Sequence, residues 1–93
     1  MAMGKGRLKR KIVTALELPK DITLDLPVIY MVGNEELVVS NHKGIATYTT
    51  EMVRIKVSIG AIKILGAGII LKEISRDSIV VVGNIAEVTL ERR

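Results

Sequence analysis

The chain has 93 residues, 48% of them hydrophobic but only 2% aromatic, and a formal net charge of +4. That length supports one hydrophobic core and excludes a second. With no cysteine in the sequence, a disulfide-stapled secreted domain, a thiolate metal site and a cysteine nucleophile are excluded as well.

Residues 7–18 read as one short amphipathic helix. Leu8, Ile12, Ala15 and Leu16 recur at helical spacing, with Lys9, Arg10 and Glu17 elsewhere on the wheel, although Lys11 and Val13 blur the pattern. Pro19 ends it by biasing Leu18 away from helical geometry. Such a short helix is marginal alone and needs a surface to pack on. From Ile22 the period changes to two, with Ile22, Leu24 and Leu26 alternating with Thr23 and Asp25.

After Pro27 a strand is expected over Val28–Val32, then a tight turn at Gly33-Asn34-Glu35 into Leu37–Ser40. Asn41-His42-Lys43-Gly44 reads as a second turn, followed by a β-branched strand from Ile45 to Thr50. Val53, Ile55, Val57 and Ile59 alternate with Arg54, Lys56 and Ser58, the clearest half-buried strand of the chain. Glycines 60, 66 and 68 bracket a strand over Ile62–Leu65, with a glycine-rich hairpin expected before Ile69–Ile74. Ser75-Arg76-Asp77 is a polar turn. Ile79–Val82 is apolar on both faces, which suits a central strand. Gly83-Asn84 reads as a turn into a last strand, with Ala86, Val88 and Leu90 on one face and Glu87, Thr89 and Glu91 on the other.

This pattern predicts an all-β domain, a small antiparallel sandwich of seven or eight short strands with one N-terminal helix. The division is a basic arm and helix over residues 1–20 and a single β domain over 21–93. One weak internal echo, Met31-Val32-Gly33-Asn34 against Val81-Val82-Gly83-Asn84, is what two similar hairpins would produce. Thirteen Ile, eleven Val and nine Leu supply the core, with Tyr30 and Tyr48 the only aromatics. So many aliphatics in so small a domain leave some strand faces exposed, and exposed apolar patches and open edges usually meet a partner. A protein partner or a second copy of the chain is therefore expected.

The charge is uneven. Residues 1–20 hold six bases against the single acid Glu17, whereas residues 21–93 hold eight bases and nine acids. The arm can draw anionic partners by long-range attraction; the body has no such field. Arg7, Lys9, Arg10 and Lys11 supply the attraction, and Leu8, Ile12 and Leu16 supply apolar insertion or docking. An anionic membrane surface or an acidic protein fits these residues. The alternative is a helix packed on the sheet with its bases in water. A nucleic-acid-binding small β-barrel is the rival reading. It lacks the aromatic platforms that single strands and RNA stack on. No apolar run approaches the about 20 residues a membrane helix needs, and no signal-peptide core is present. A cytoplasmic protein, at most peripheral to a membrane, is expected.

Candidate catalytic chemistry is thin. His42 is the sole histidine, with no second His or Cys to complete a metal site or a base–nucleophile pair, and it reads as a solvated turn residue. Gly66-Ala67-Gly68 lacks the third glycine and the helix of a dinucleotide loop. Gly4-Lys5-Gly6 lacks the rest of a phosphate loop. The acid pairs Asp21/Asp25, Glu35-Glu36 and Glu73/Asp77 fall in turns or on polar faces, where both members are hydrated rather than poised for hydrolysis. No catalytic residue, metal, cofactor or small-molecule substrate is expected.

From Glu17 onward the chain resembles the YabP/YqfC family of sporulation proteins. The resemblance is carried by Glu17-Leu18-Pro19-Lys20-Asp21, Leu26-Pro27 with Gly33, Asn41-His42-Lys43-Gly44-Ile45, and the glycine-punctuated strands through Gly60, Gly66 and Gly83-Asn84-Ile85. It implies a non-enzymatic structural or adaptor protein made in the mother cell during endospore formation. It also implies a membrane-protein partner, YqfD. It supplies no catalytic residues.

Overall fold

The computed structural model describes residues 25–93. The helix expected over 7–18 and the strand start at 22–24 lie outside the described residues. Six strands follow: β1 (Val28–Val32), β2 (Glu36–Ser40), β3 (His42–Tyr48), β4 (Met52–Val57), β5 (Gly60–Ile74) and β6 (Ser78–Arg92). They form one antiparallel sheet in the order β1-β2-β6-β5-β4-β3. Asp25 has a φ of 58°, and Leu26 lies in no strand.

Among the described residues six strands stand where seven or eight were expected, because two glycine sites are bends and not turns. β5 and β6 are each 15 residues long. No hairpin forms at Gly66-Ala67-Gly68, and Gly83-Asn84 does not reverse the chain. Both strands run through with shifted register, Leu65 paired with Glu87 but Gly66 with Ile85. Ala86 falls in this shift and so leaves the alternation expected of it. A Cβ on Gly66 would collide with the backbone carbonyl oxygen of Asn84. Gly83 has a φ of 144°, and a Cβ there would lie 2.8 Å from the Gly68 carbonyl oxygen. Glycine is required where two backbones approach this closely in a bulged, bent strand pair.

The bends divide the long hairpin. Its Gly60–Leu65 half pairs with β4 and with the end of β6, whereas Ser78–Val82 is central between β2 and β5. Leu37 and Val39 from β2, Ile69 from β5 and Ile79 and Val81 from β6 then share one core cluster with Val53, Ile55, Val57, Ile62, Ile64 and Ile85. The period-two reading of β4 holds from Val53 to Val57, with Val53, Ile55 and Val57 buried and Arg54 and Lys56 not, but Ser58 and Ile59 fall in the turn to β5 and Ile59 is only partly buried.

The segment 41–44 is not a hairpin turn. β2 and β3 are joined by Asn41 alone, and they lie far apart in the strand order. Asn41 adopts a φ of 62°, a conformation that asparagine tolerates better than most residues. Its N–H donates to the Asp77 carbonyl at 2.7 Å, and its side-chain amide donates to the Leu26 carbonyl at 2.8 Å. The chain thus crosses from one half of the sheet to the other in one residue. β3 is tied to the far half of β5 by the Tyr48 hydroxyl, which donates to the Ile69 carbonyl at 2.6 Å. The echoed Val-Gly-Asn segments are neighbours in space. The Asn34 amide donates to the Asn84 side-chain oxygen at 2.9 Å, and the N–H of Gly83 and Ile85 reach the carbonyls of Glu35 and Asn34. One of the two is a turn and the other a bend, so they are not two similar hairpins.

Candidate functional site

β1 is the strand whose sequence and surroundings disagree most. Val-Ile-Tyr-Met-Val is apolar throughout, yet all five residues are exposed, from 40% at Val28 to 65% at Tyr30. Position in the sheet explains this. Among the described residues β1 is a terminal strand, paired with β2 on one side only. Directly opposed residues in an antiparallel pair share a face. Ile29 therefore points the same way as buried Val39, and Met31 the same way as buried Leu37. Both still stay 41% exposed, because the core cluster does not extend over them.

The hydrogen-bonding side of each β1 residue follows from β2. The Glu35 N–H donates to the Val32 carbonyl of β1, but its carbonyl accepts the Gly83 N–H; from that peptide onward Leu37 and Val39 direct their backbone polar groups to β6. By the alternation of an antiparallel ladder, Glu36, Val38 and Ser40 direct theirs to β1. Their partners Val32, Tyr30 and Val28 return these bonds. The N–H and C=O groups of Ile29 and Met31 point off the sheet at an edge where no described strand lies. Pro27 bounds this edge at one end and Gly33, with a φ of 53°, at the other.

The remaining polar residues serve the fold. His42 is not a freely solvated turn residue. Its Nδ1 accepts the Gly44 N–H at 2.9 Å, and its Nε2 lies 2.9 Å from the Ser75 carbonyl. That pattern fixes the tautomer with the proton on Nε2, which donates. The ring clips the start of β3 to the tip of the β5–β6 hairpin. Arg54 holds Glu91 through two hydrogen bonds of 2.9 and 3.0 Å, with Lys63 at 3.9 Å. The hydrogen bond to Glu91 raises the Arg54 pKa, and the hydrogen bond from Arg54 lowers that of Glu91. Lys43 pairs with Asp25, while Glu35, Glu73 and Asp77 are exposed. Among the described residues no group of three His, Cys, Asp or Glu side chains is placed to hold a metal ion. Among the described residues there is no helix long and apolar enough to cross a membrane.

The contact residues expected in the arm, Arg7, Leu8, Lys9, Arg10, Lys11, Ile12 and Leu16, all lie outside the described residues. Sequence reasoning anticipated open apolar edges in general and did not single out β1. The signal was present: β1 is a five-residue apolar strand with no charge, whereas β4 carries a base at alternate positions.

Comparison with known proteins agrees with the sequence resemblance. The YabP family matches residues 26–93, a span that holds all six strands. The chain belongs to the YabP family. It is 34% identical over 85 residues to the uncharacterized protein YqfC of Bacillus subtilis strain 168, covering 91% of each chain. No solved structure matches it. Because the family match includes β1, the exposed edge lies in the part of the chain that the family shares.

Proposed function

We propose that this YabP-family chain is a non-enzymatic structural or adaptor module, acting in the mother cell during endospore formation beside a membrane-protein partner. YqfD is the partner that the family resemblance suggests. The β body offers protein contacts, and the basic arm offers attraction to an anionic membrane surface. The single observation that carries the reading is β1, an apolar strand exposed on both faces with an open hydrogen-bonding edge. Such a strand is a hazard for a free-standing protein and an asset for one that binds others. Arg7, Lys9, Arg10 and Lys11 would hold lipid phosphates as surface-bound charge, while Leu8, Ile12 and Leu16 would enter the interface.

Two measurements test it. Tagged full-length chain should capture one membrane protein reproducibly from sporulating cells, and substituting β1 should abolish that capture. Sedimentation with vesicles should require anionic lipid, weaken with salt and disappear on deletion of residues 1–20. Equal binding to neutral vesicles overturns the membrane role. Capture unaffected by β1 substitution overturns the adaptor role assigned to the sheet.

A further inference from the structure

We infer that β1 recognises a second copy of itself, edge to edge and antiparallel, with Tyr30 on the twofold axis. The sequence of β1 reads nearly the same in both directions about Tyr30. Antiparallel pairing in that register sets Val28 opposite Val32 of the other copy, Ile29 opposite Met31, and Tyr30 opposite Tyr30. Every cross-strand pair is then apolar, and no charge is buried.

The backbone selects the same register. The outward N–H and C=O groups belong to Ile29 and Met31, so each Ile29–Met31 couple exchanges two hydrogen bonds and the ladder holds four. Tyr30 then falls in a non-hydrogen-bonded pair, the closer of the two kinds. A one-residue slip would place outward-facing groups opposite inward-facing ones and lose these bonds. Pro27 and Gly33 stop the ladder at both ends. Twofold closure makes the contact self-limiting, because each copy has one such edge and uses it up.

Charge does not oppose the contact. β1 carries no charged residue, so the pairing sets no like charges opposite one another.

Area sets the strength. Edge pairing covers the open side of β1 and leaves much of both faces in water, so it buries less than the roughly 1,200 Å² of the smallest stable interfaces. The dimer is therefore reversible and concentration-dependent. This inference goes beyond the adaptor reading, since it concerns the purified chain with no lipid or second protein present.

The absence of native cysteine permits a clean test on the full-length chain. Tyr30→Cys places two thiols at the axis, at a spacing that a disulfide can close. Mild oxidation should give a reducible covalent dimer at least about tenfold faster than Lys72→Cys, an exposed control on β5, because pairing raises the effective thiol concentration. Sedimentation of the wild-type chain should show a monomer–dimer equilibrium. Met31→Lys, which sets a charge against the opposing copy's Ile29, should shift it to monomer with an unchanged far-ultraviolet spectrum. Equal oxidation rates at the two positions overturn the proposal, as does a dimer that survives Met31→Lys. A chain that stays monomeric alone also overturns it, whether its own residues 1–20 or another protein occupies the edge. Failure of vesicle binding or of capture from cells leaves these readouts unaffected.

Discussion

β1 and β4 are two short strands with opposite fates. β4 carries two bases in six residues, yet it buries Val53, Ile55 and Val57. β1 carries no charge and buries nothing. β4 lies between β3 and β5, and among the described residues β1 has a neighbour on one side only. Hydrophobicity thus ranks the two strands in the wrong order for burial, and neighbours decide. The bases of β4 mark which of its faces meets water. β1 has no such mark, which is what a strand awaiting contact on both faces would look like.

Substitutions can break this comparison. Ile55→Ala on β4 removes a fully buried side chain and should cost about 3–5 kcal/mol in denaturant unfolding. Gly83→Ala should be comparably severe, at least about 3 kcal/mol, since a left-handed backbone meets a close carbonyl there. Loss of less than about 1 kcal/mol at Ile55 would mean that the two halves of the sheet do not share a core. His42→Ala removes both bonds of the clip and should cost about 1–2 kcal/mol by thermal unfolding. On β1, Met31→Ala should stay within about 0.5 kcal/mol for the dilute monomer. A large loss there would show that β1 is covered within the single chain.

The smallest expected effect concerns pH. The carboxyl of Glu91 is held below its ordinary range by Arg54. Its contribution is therefore complete above the unfolded pKa and disappears as pH falls through the lower, folded pKa. Glu91→Gln should lower stability slightly at neutral pH and not at all in acid, and added salt should shrink the difference. Parallel pH titrations of unfolding for the two chains check this. A difference that persists in acid would assign Glu91 a role other than its charge.

Much of the fold was legible in the residues themselves. β1, the turn after it, β2, the alternation of β4 and the turn at 75–77 follow from period two and from turn chemistry. The bends at Gly66 and Gly83 were not legible as bends. A glycine that reverses a chain and one that lets two backbones touch look alike in sequence, and only the partner strand tells them apart. Asn41-His42-Lys43-Gly44 misled for a related reason. Its turn-forming residues do change the chain's direction, but at Asn41 alone, and His42 is spent on a long-range clip. Of the candidate site, the apolar character of β1 could be read directly. Its exposure could not, because strand order is a property of the whole sheet.

The position of β2 has a consequence for synthesis. β2 takes its second neighbour from Ser78–Val82, which the ribosome makes only after β3, β4 and β5. β3, β4 and β5 can pair with one another as they emerge, since each joins the next by a local hairpin. The β1–β2 hairpin has no such option. It must wait, apolar, until Ser78–Val82 has been made, and during that interval it is the described segment most open to misassembly or to a chaperone. Truncated chains ending before Ser78 should therefore be captured or degraded through their first two strands.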